Sequence, residues 1–170
     1  MSTARVILLI AFVVALDLAT KWIVSATMTV GQSIPIIDGY FSLTYVRNPG
    51  AAFGLLGDAG NWGPLVLVAV SIAAVAALGW LLVGLPESQK WERAAAAAVI
   101  GGALGNLHDR LRFGEVVDFL DVYVGTWHWP AFNVADSAIS VGVVVLVLTS
   151  FRAQPDASSE VVGDADSHAR

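Results

Sequence analysis

The chain has no cysteine. That removes any disulfide framework, any thiolate nucleophile and any thiolate metal ligand. Histidine is nearly as scarce: there are His108, His128 and His168, and no two stand at helical ligand spacing. A metal-dependent hydrolase wants clustered histidines and carboxylates, so neither a metal site nor a cofactor is expected. Charge is sparse as well, at 14% of 170 residues against 56% hydrophobic. Much of the net charge of −5 belongs to residues 153–170, where Asp156, Glu160, Asp164 and Asp166 against Arg170 leave −3. The remainder is close to neutral, and no basic surface suits nucleic acid. Residues 153–170 are expected to form a disordered acidic tail.

What the chain does have is long apolar runs. A bilayer core about 30 Å thick needs about 20 apolar residues in a helix. Residues 6–26, 62–85 and 134–151 qualify. Residues 91–108 are shorter and rich in alanine and glycine, and they are read as a further span. The expectation is an all-α membrane protein, with one four-helix transmembrane domain over 1–152. A cleaved signal peptide at the start is disfavoured, because apolar character continues to Val24 and Asp17 and Lys21 interrupt it. Four spans leave both termini on one side. Arg5, Lys90, Arg93 and Arg152 flank the spans there, which makes that side the cytoplasm. Arg47, Arg110 and Arg112 fall on the other side and need another reason. The six tryptophans all lie near span ends or loops, where indole rings favour the headgroup level. Residues 40–46 alternate apolar with polar, and 122–132 are aromatic. Both are expected to be small extended elements in the extracytoplasmic loops.

Polar residues from distant parts of the chain share the outer leaflet in this topology. Asp17 stands about 18 Å along the helix from Arg5, at ~1.5 Å per residue, and Lys21 is one turn higher. Their i, i+4 spacing makes them an ion pair that offsets the cost of burying charge. Gly102, Asn106 and Arg110 form an i, i+4, i+8 stripe if the third helix reaches Arg110. Gly101 and Gly105 make a G-x-x-x-G, a signature of close helix packing. Asn133 and Asp136 resemble a capping box, and an acid in the first turn suits the helix dipole. The segment GNLHDRLRFGEVVDFLD, residues 105–121, holds six charges. Of these, Asp109, Glu115 and Asp121 are read as solvated or salt-bridged loop residues. Asp118 and Asp136 are two carboxylates on one side of the membrane near fixed cations. Close carboxylates share a proton, and the pKa of one of them rises. That pair can activate water and protonate a leaving amine, the chemistry of an aspartic protease.

These residues carry a resemblance. The motifs are Asp17-Leu-Ala-Thr20-Lys21, Asn48-Pro-Gly50-Ala-Ala-Phe53, Gly101-Gly102-Ala-Leu-Gly105-Asn106-Leu-His-Asp109-Arg110 running on to Gly114-Glu-Val-Val-Asp118-Phe119, and Phe132-Asn133-Val-Ala-Asp136. In combination and in this order, over residues 5–151, they resemble the bacterial lipoprotein signal peptidases, also called signal peptidase II. The resemblance implies a membrane aspartic endopeptidase with Asp118 and Asp136 as the catalytic pair. It implies Asp17, Lys21, Asn48, Gly102, Asn106, Arg110 and Asn133 as supporting, substrate-binding residues. The implied substrate is a diacylglyceryl-modified prolipoprotein, cut just before the lipidated cysteine. The implied setting is the bacterial inner membrane, with membrane lipid as a partner, the site toward the extracytoplasmic leaflet, and a monomer. His108 has no implied role. Two other readings compete with this one. A small ion-coupled transporter subunit would need polar residues through both halves of the spans, and the inner halves are nearly all apolar. A non-catalytic assembly factor would use its polar residues only to join helices.

Overall fold

The structure is a computed structural model that describes residues 1–50 and 62–152. Four helices carry the chain: α1 (Thr3–Thr27), α2 (Trp62–Gly84), α3 (Lys90–Phe113) and α4 (Val134–Arg152). Four strands, β1 (Ser33–Ile37), β2 (Phe41–Asn48), β3 (Val116–Val124) and β4 (Trp127–His128), form an antiparallel sheet in sequence order. Among the described residues three helical stretches, Thr3–Thr27, Leu65–Gly84 and Val134–Phe151, are long and apolar enough to cross a membrane. Their apolar side chains face outward. Ile7, Leu8 and Phe12 of α1, Val70 and Val83 of α2, and Val141 and Val144 of α4 are all exposed, as lipid-facing positions should be.

α3 does not meet that criterion, and its packing explains why. It lies at the centre of the bundle, against α1, α2 and α4. Its buried face is small and polar: Ala96, Ala97, Gly101, Gly102, Gly105, Asn106 and Asp109. Small residues let backbones approach closely where no water drives association. At Gly101 an added Cβ would stand 2.8 Å from Val13 Cβ of α1, and at Gly105 it would collide with the Asp17 carboxylate. At Gly102 it would collide with the Ala135 carbonyl oxygen of α4 and lie 2.8 Å from Ile139 Cγ1. Gly102→Ala therefore forces α3 and α4 apart, since a helix backbone cannot turn aside. We expect a loss of about 1–3 kcal/mol by thermal unfolding in detergent. Gly79→Ala, where nothing lies within 4 Å of the new carbon, is the control and should be neutral.

α3 is also longer than its sequence suggested. It runs to Phe113, five residues past 108, and Gly114 ends it in the left-handed conformation at φ 77° with its N–H on the Arg110 carbonyl at 3.0 Å. Asp109 is consequently a buried helical residue at 2% exposure; of the two expected states, solvated or salt-bridged, it takes the second, but on the helix and not in a loop. At the opposite end of the bundle Arg93 is buried. It donates to the Leu82 carbonyl at 3.1 Å and to the Leu85 carbonyl, capping the C-terminus of α2. It also reaches Thr3 at 3.4 Å, so the start of α1, the end of α2 and the start of α3 share one end.

The sheet occupies the other end. β2 begins at Phe41 and runs to Asn48, close to the alternation read at 40–46. β1 was not foreseen, and β3 begins at Val116, six residues before the expected 122, so that Asp118 lies in a strand. A bridge between Leu120 and Phe132 ties the approach to α4 against β3. Of the motif Asn48–Phe53, positions 51–53 lie outside the described residues, as does the expected acidic tail at 153–170.

Candidate active site

The sheet end of the bundle brings most of the motif residues together. On α1, Lys21 Nζ lies 2.7 Å from Asp17 Oδ2, and both are almost fully buried. Asp17 Oδ1 accepts the Ala135 N–H of α4 at 2.9 Å. The lysine also lies 3.1 Å from Asp109 Oδ2 and donates to Asn106 Oδ1 at 2.9 Å. One cation thus serves two carboxylates and an amide. The i, i+4 pair was legible in the sequence; the second carboxylate was not. Its signal was the i, i+3 offset from Asn106, which puts Asp109 on nearly the same helical face once α3 continues past residue 108. Asp109 Oδ2 also accepts the Val117 N–H at 3.2 Å, fastening β3 to α3.

Asn133 is the junction. It is fully buried at 0% exposure, and its side-chain amide donates to Asp118 Oδ1 at 2.7 Å, to Asn106 Oδ1 at 3.1 Å and to the Val117 carbonyl at 3.2 Å. Its Oδ1 accepts the Asp136 N–H at 2.9 Å, and its own N–H donates to Asp136 Oδ2 at 3.2 Å. The capping box expected at the start of α4 is therefore present. It also fixes a carboxylate beside Asp118, so capping and site-building are one arrangement. Asp136 Oδ1 accepts from Asn106 Nδ2 at 2.7 Å, and Asp118 Oδ2 accepts from Asn48 Nδ2 at 2.9 Å.

The two carboxyls have different surroundings. Asp118 is 2% exposed. Burial pushes its carboxyl up to about 7, and the nearby charge of Asp136 adds to this. The Asn48 and Asn133 amides and the Lys21 cation pull back. Asp136, with Asn48, Asn106 and Arg110, lines a cavity of about 480 Å³ whose other walls include Phe132 and Ile139. Asp118 is not part of that wall, but it is hydrogen-bonded to Asn48, which is. The Arg110 guanidinium is half-buried, and its charge acts on Asp136 and Asp118. Gly102 sits in the α3–α4 contact, and, like Asp17, Lys21, Asp118 and Asn133, it is not on the cavity wall. Of the remaining charges in 105–121, Asp121 is buried beside His128 at 2.9 Å and Thr44 at 3.0 Å, while Glu115 lies 3.9 Å from Arg47.

Comparison with known proteins bears on the family. Residues 9–152 match the family model described as signal peptidase (SPase) II. A lipoprotein signal peptidase of Geobacter sulfurreducens is 52% identical over 81% of this chain and 85% of its own length. Those of Syntrophotalea carbinolica and Serratia proteamaculans are 48% and 44% identical, over 87% and 92% of this chain and 92% of their own lengths. Two solved structures of a bacterial membrane enzyme superpose with TM-scores of 0.80 and 0.79 at 31% and 32% identity, covering 88% and 89% of this chain and 89% and 96% of theirs. With its apolar helices, buried polar cluster and matching motifs, the chain belongs to the signal peptidase II family of bacterial membrane peptidases.

Proposed function

We propose that the chain removes signal peptides from diacylglyceryl-modified prolipoproteins, cutting just before the lipid-bearing cysteine, with Asp118 and Asp136 as its catalytic pair. The observation that carries this is Asn133, whose side chain holds one carboxyl and whose backbone N–H holds the other. Asp136, on the cavity wall, takes a proton from water, and the water oxygen attacks the scissile carbonyl carbon. Asp118, the more deeply buried carboxyl, gives its proton to the carbonyl oxygen. When the carbon–nitrogen bond breaks, the proton now on Asp136 passes to the departing amine of the cysteine, and one hydroxyl proton of the tetrahedral intermediate returns to Asp118, leaving a carboxylic acid. Asn106 and Asn133 hold the pair, and Arg110 holds substrate backbone in the cavity. Asn48, between Asp118 and the cavity, stands where the carbonyl enters. Asp17 and Lys21 anchor α1 to α4 and to Asn106. In this reading α3 is the fourth span, crossing the membrane packed against three apolar helices. Both termini are cytoplasmic, the sheet lies at the extracytoplasmic face, and the enzyme works as a monomer.

The direct test is incubation of the purified chain, in lipid or detergent with EDTA, with a diacylglyceryl-modified precursor and with its unmodified form. Cleavage of the modified precursor alone, undiminished by EDTA, is expected. Loss of cleavage on chelation would overturn the two-carboxylate mechanism. The pH profile gives a second test. Asp118 has its pKa raised to about 7, so it holds its proton below that pH and loses it as pH rises through it. kcat/KM should then fall on the alkaline side of about pH 7. Asn48→Ala removes a hydrogen bond that favours the charged form, so the alkaline limb should move to higher pH in that variant. A limb that stays put or moves down would separate it from Asp118.

A further inference from the structure

A second cavity, of about 420 Å³, shares no lining residue with the first and borders the Lys21–Asp109 pair. Its walls come from the last turns of α1 and α3, and Arg47 of β2 borders it. Leu18, Trp22, Phe113 and Val117 give it an apolar and aromatic lining, Arg47, Arg112, His108 and Ser25 give it polar groups, and the paired Lys21 and Asp109 line it as well. Apart from Lys21 and its partner Asp109, none of these residues is used by the peptide-cleaving machinery. The Lys21 charge is already taken by two carboxylates. The two arginines are not so engaged. Among the described residues no carboxylate lies within 4.0 Å of Arg112, and the nearest to Arg47 is Glu115 at 3.9 Å from Nε. Both guanidinium groups instead stack on Phe113, at 5.2 Å for Arg47 and 5.1 Å for Arg112. Arg47 Nε donates to Tyr45 Oη at 2.8 Å, and its terminal nitrogens have no acceptor among the described residues.

We propose that this cavity binds the phosphate of an anionic membrane-lipid headgroup. Two stacked guanidinium groups with open forks match phosphate oxygens in geometry and charge. Trp22 is 72% exposed and marks the headgroup level at the outer end of an apolar helix. Leu18, one turn below it, continues the wall toward the hydrocarbon, where a glycerol backbone and acyl chain would follow. The volume is within the range of small-ligand sites, and much larger than one phosphate ion requires. The lipid headgroup and not free phosphate is therefore the occupant.

The test uses the full chain in detergent, titrated separately with phosphatidylglycerol, with diacylglycerol of the same acyl chains, and with inorganic phosphate, reading thermal unfolding. Phosphatidylglycerol should raise the unfolding temperature, and the other two should not. Arg112→Gln, at an exposed position, should weaken the half-saturating concentration by about tenfold, and Arg47→Gln with Arg112→Gln should abolish the response. An equal response to diacylglycerol would overturn the phosphate contact, and an equal response to inorganic phosphate would overturn the lipid. An undiminished response in Arg112→Gln, which keeps the stacking partners in place, would overturn the site. Cleavage is not the readout, so the outcome is independent of the peptidase assignment.

Discussion

Asp136→Asn and Asp118→Asn should each lower prolipoprotein cleavage by about 10³-fold or more, in the upper range for loss of a general acid or base, while the protein still inserts and folds. Asparagine keeps the shape of the carboxyl but cannot carry the shuttled proton. Asp118 accepts from Asn133 and Asn48, and an amide oxygen can keep one of these bonds. Asp136 also closes the cap of α4, so its replacement should cost about 1 kcal/mol of stability besides the activity. The double variant should fall little below either single one, because the two groups act as a unit. Single-turnover cleavage beside thermal unfolding separates these effects. Full activity in either variant ends the assignment.

Lys21→Met should be the most destabilising single change in the bundle, at about 3–5 kcal/mol by thermal unfolding. The loss follows from what remains: Asp17 and Asp109, both buried, with their shared cation gone. Asn106 loses the donor to its Oδ1 as well, and with it part of the support for Asp136. Adding Asp17→Asn and Asp109→Asn to Lys21→Met should recover much of the stability, since the three charges are then removed together. An unchanged unfolding temperature in Lys21→Met would mean that water, and not the lysine, compensates the carboxylates.

Three of the four helices were legible as runs of apolar residues, because α1, α2 and α4 turn those residues outward. α3 is the reverse case. Its polar side chains face its neighbours, so hydropathy understates it, and its charged last turn resembles a loop until Gly114 is recognised as the terminator. The i, i+4 pair on α1, the glycine spacing on α3 and the capping box on α4 could be read because each is local. The meeting of Asp118 with Asn133 could not. It depends on the bridge between Leu120 and Phe132, a register set between segments that no periodicity connects. β1 escaped notice for a related reason: SIPII does not alternate, and all five residues are exposed. Arg93 flanks the spans at the end shared with the start of α1, and its bonds to the carbonyls at the end of α2 are a further role that a count of flanking charges does not show.

The central position of α3 bears on how such a protein is made. On the proposed topology, this is the segment least able to leave the translocon for lipid unaided, since it carries Asn106, Asp109, Arg110 and Arg112 near one end. Its partner for Asp109 waits on α1, synthesised long before, while the helix that shields its Gly102 face, α4, has yet to emerge. Membrane integration of α3 would thus be cooperative, completed only when the last helix arrives, and a nascent chain halted before residue 134 should leave α3 unintegrated and open to quality-control proteolysis.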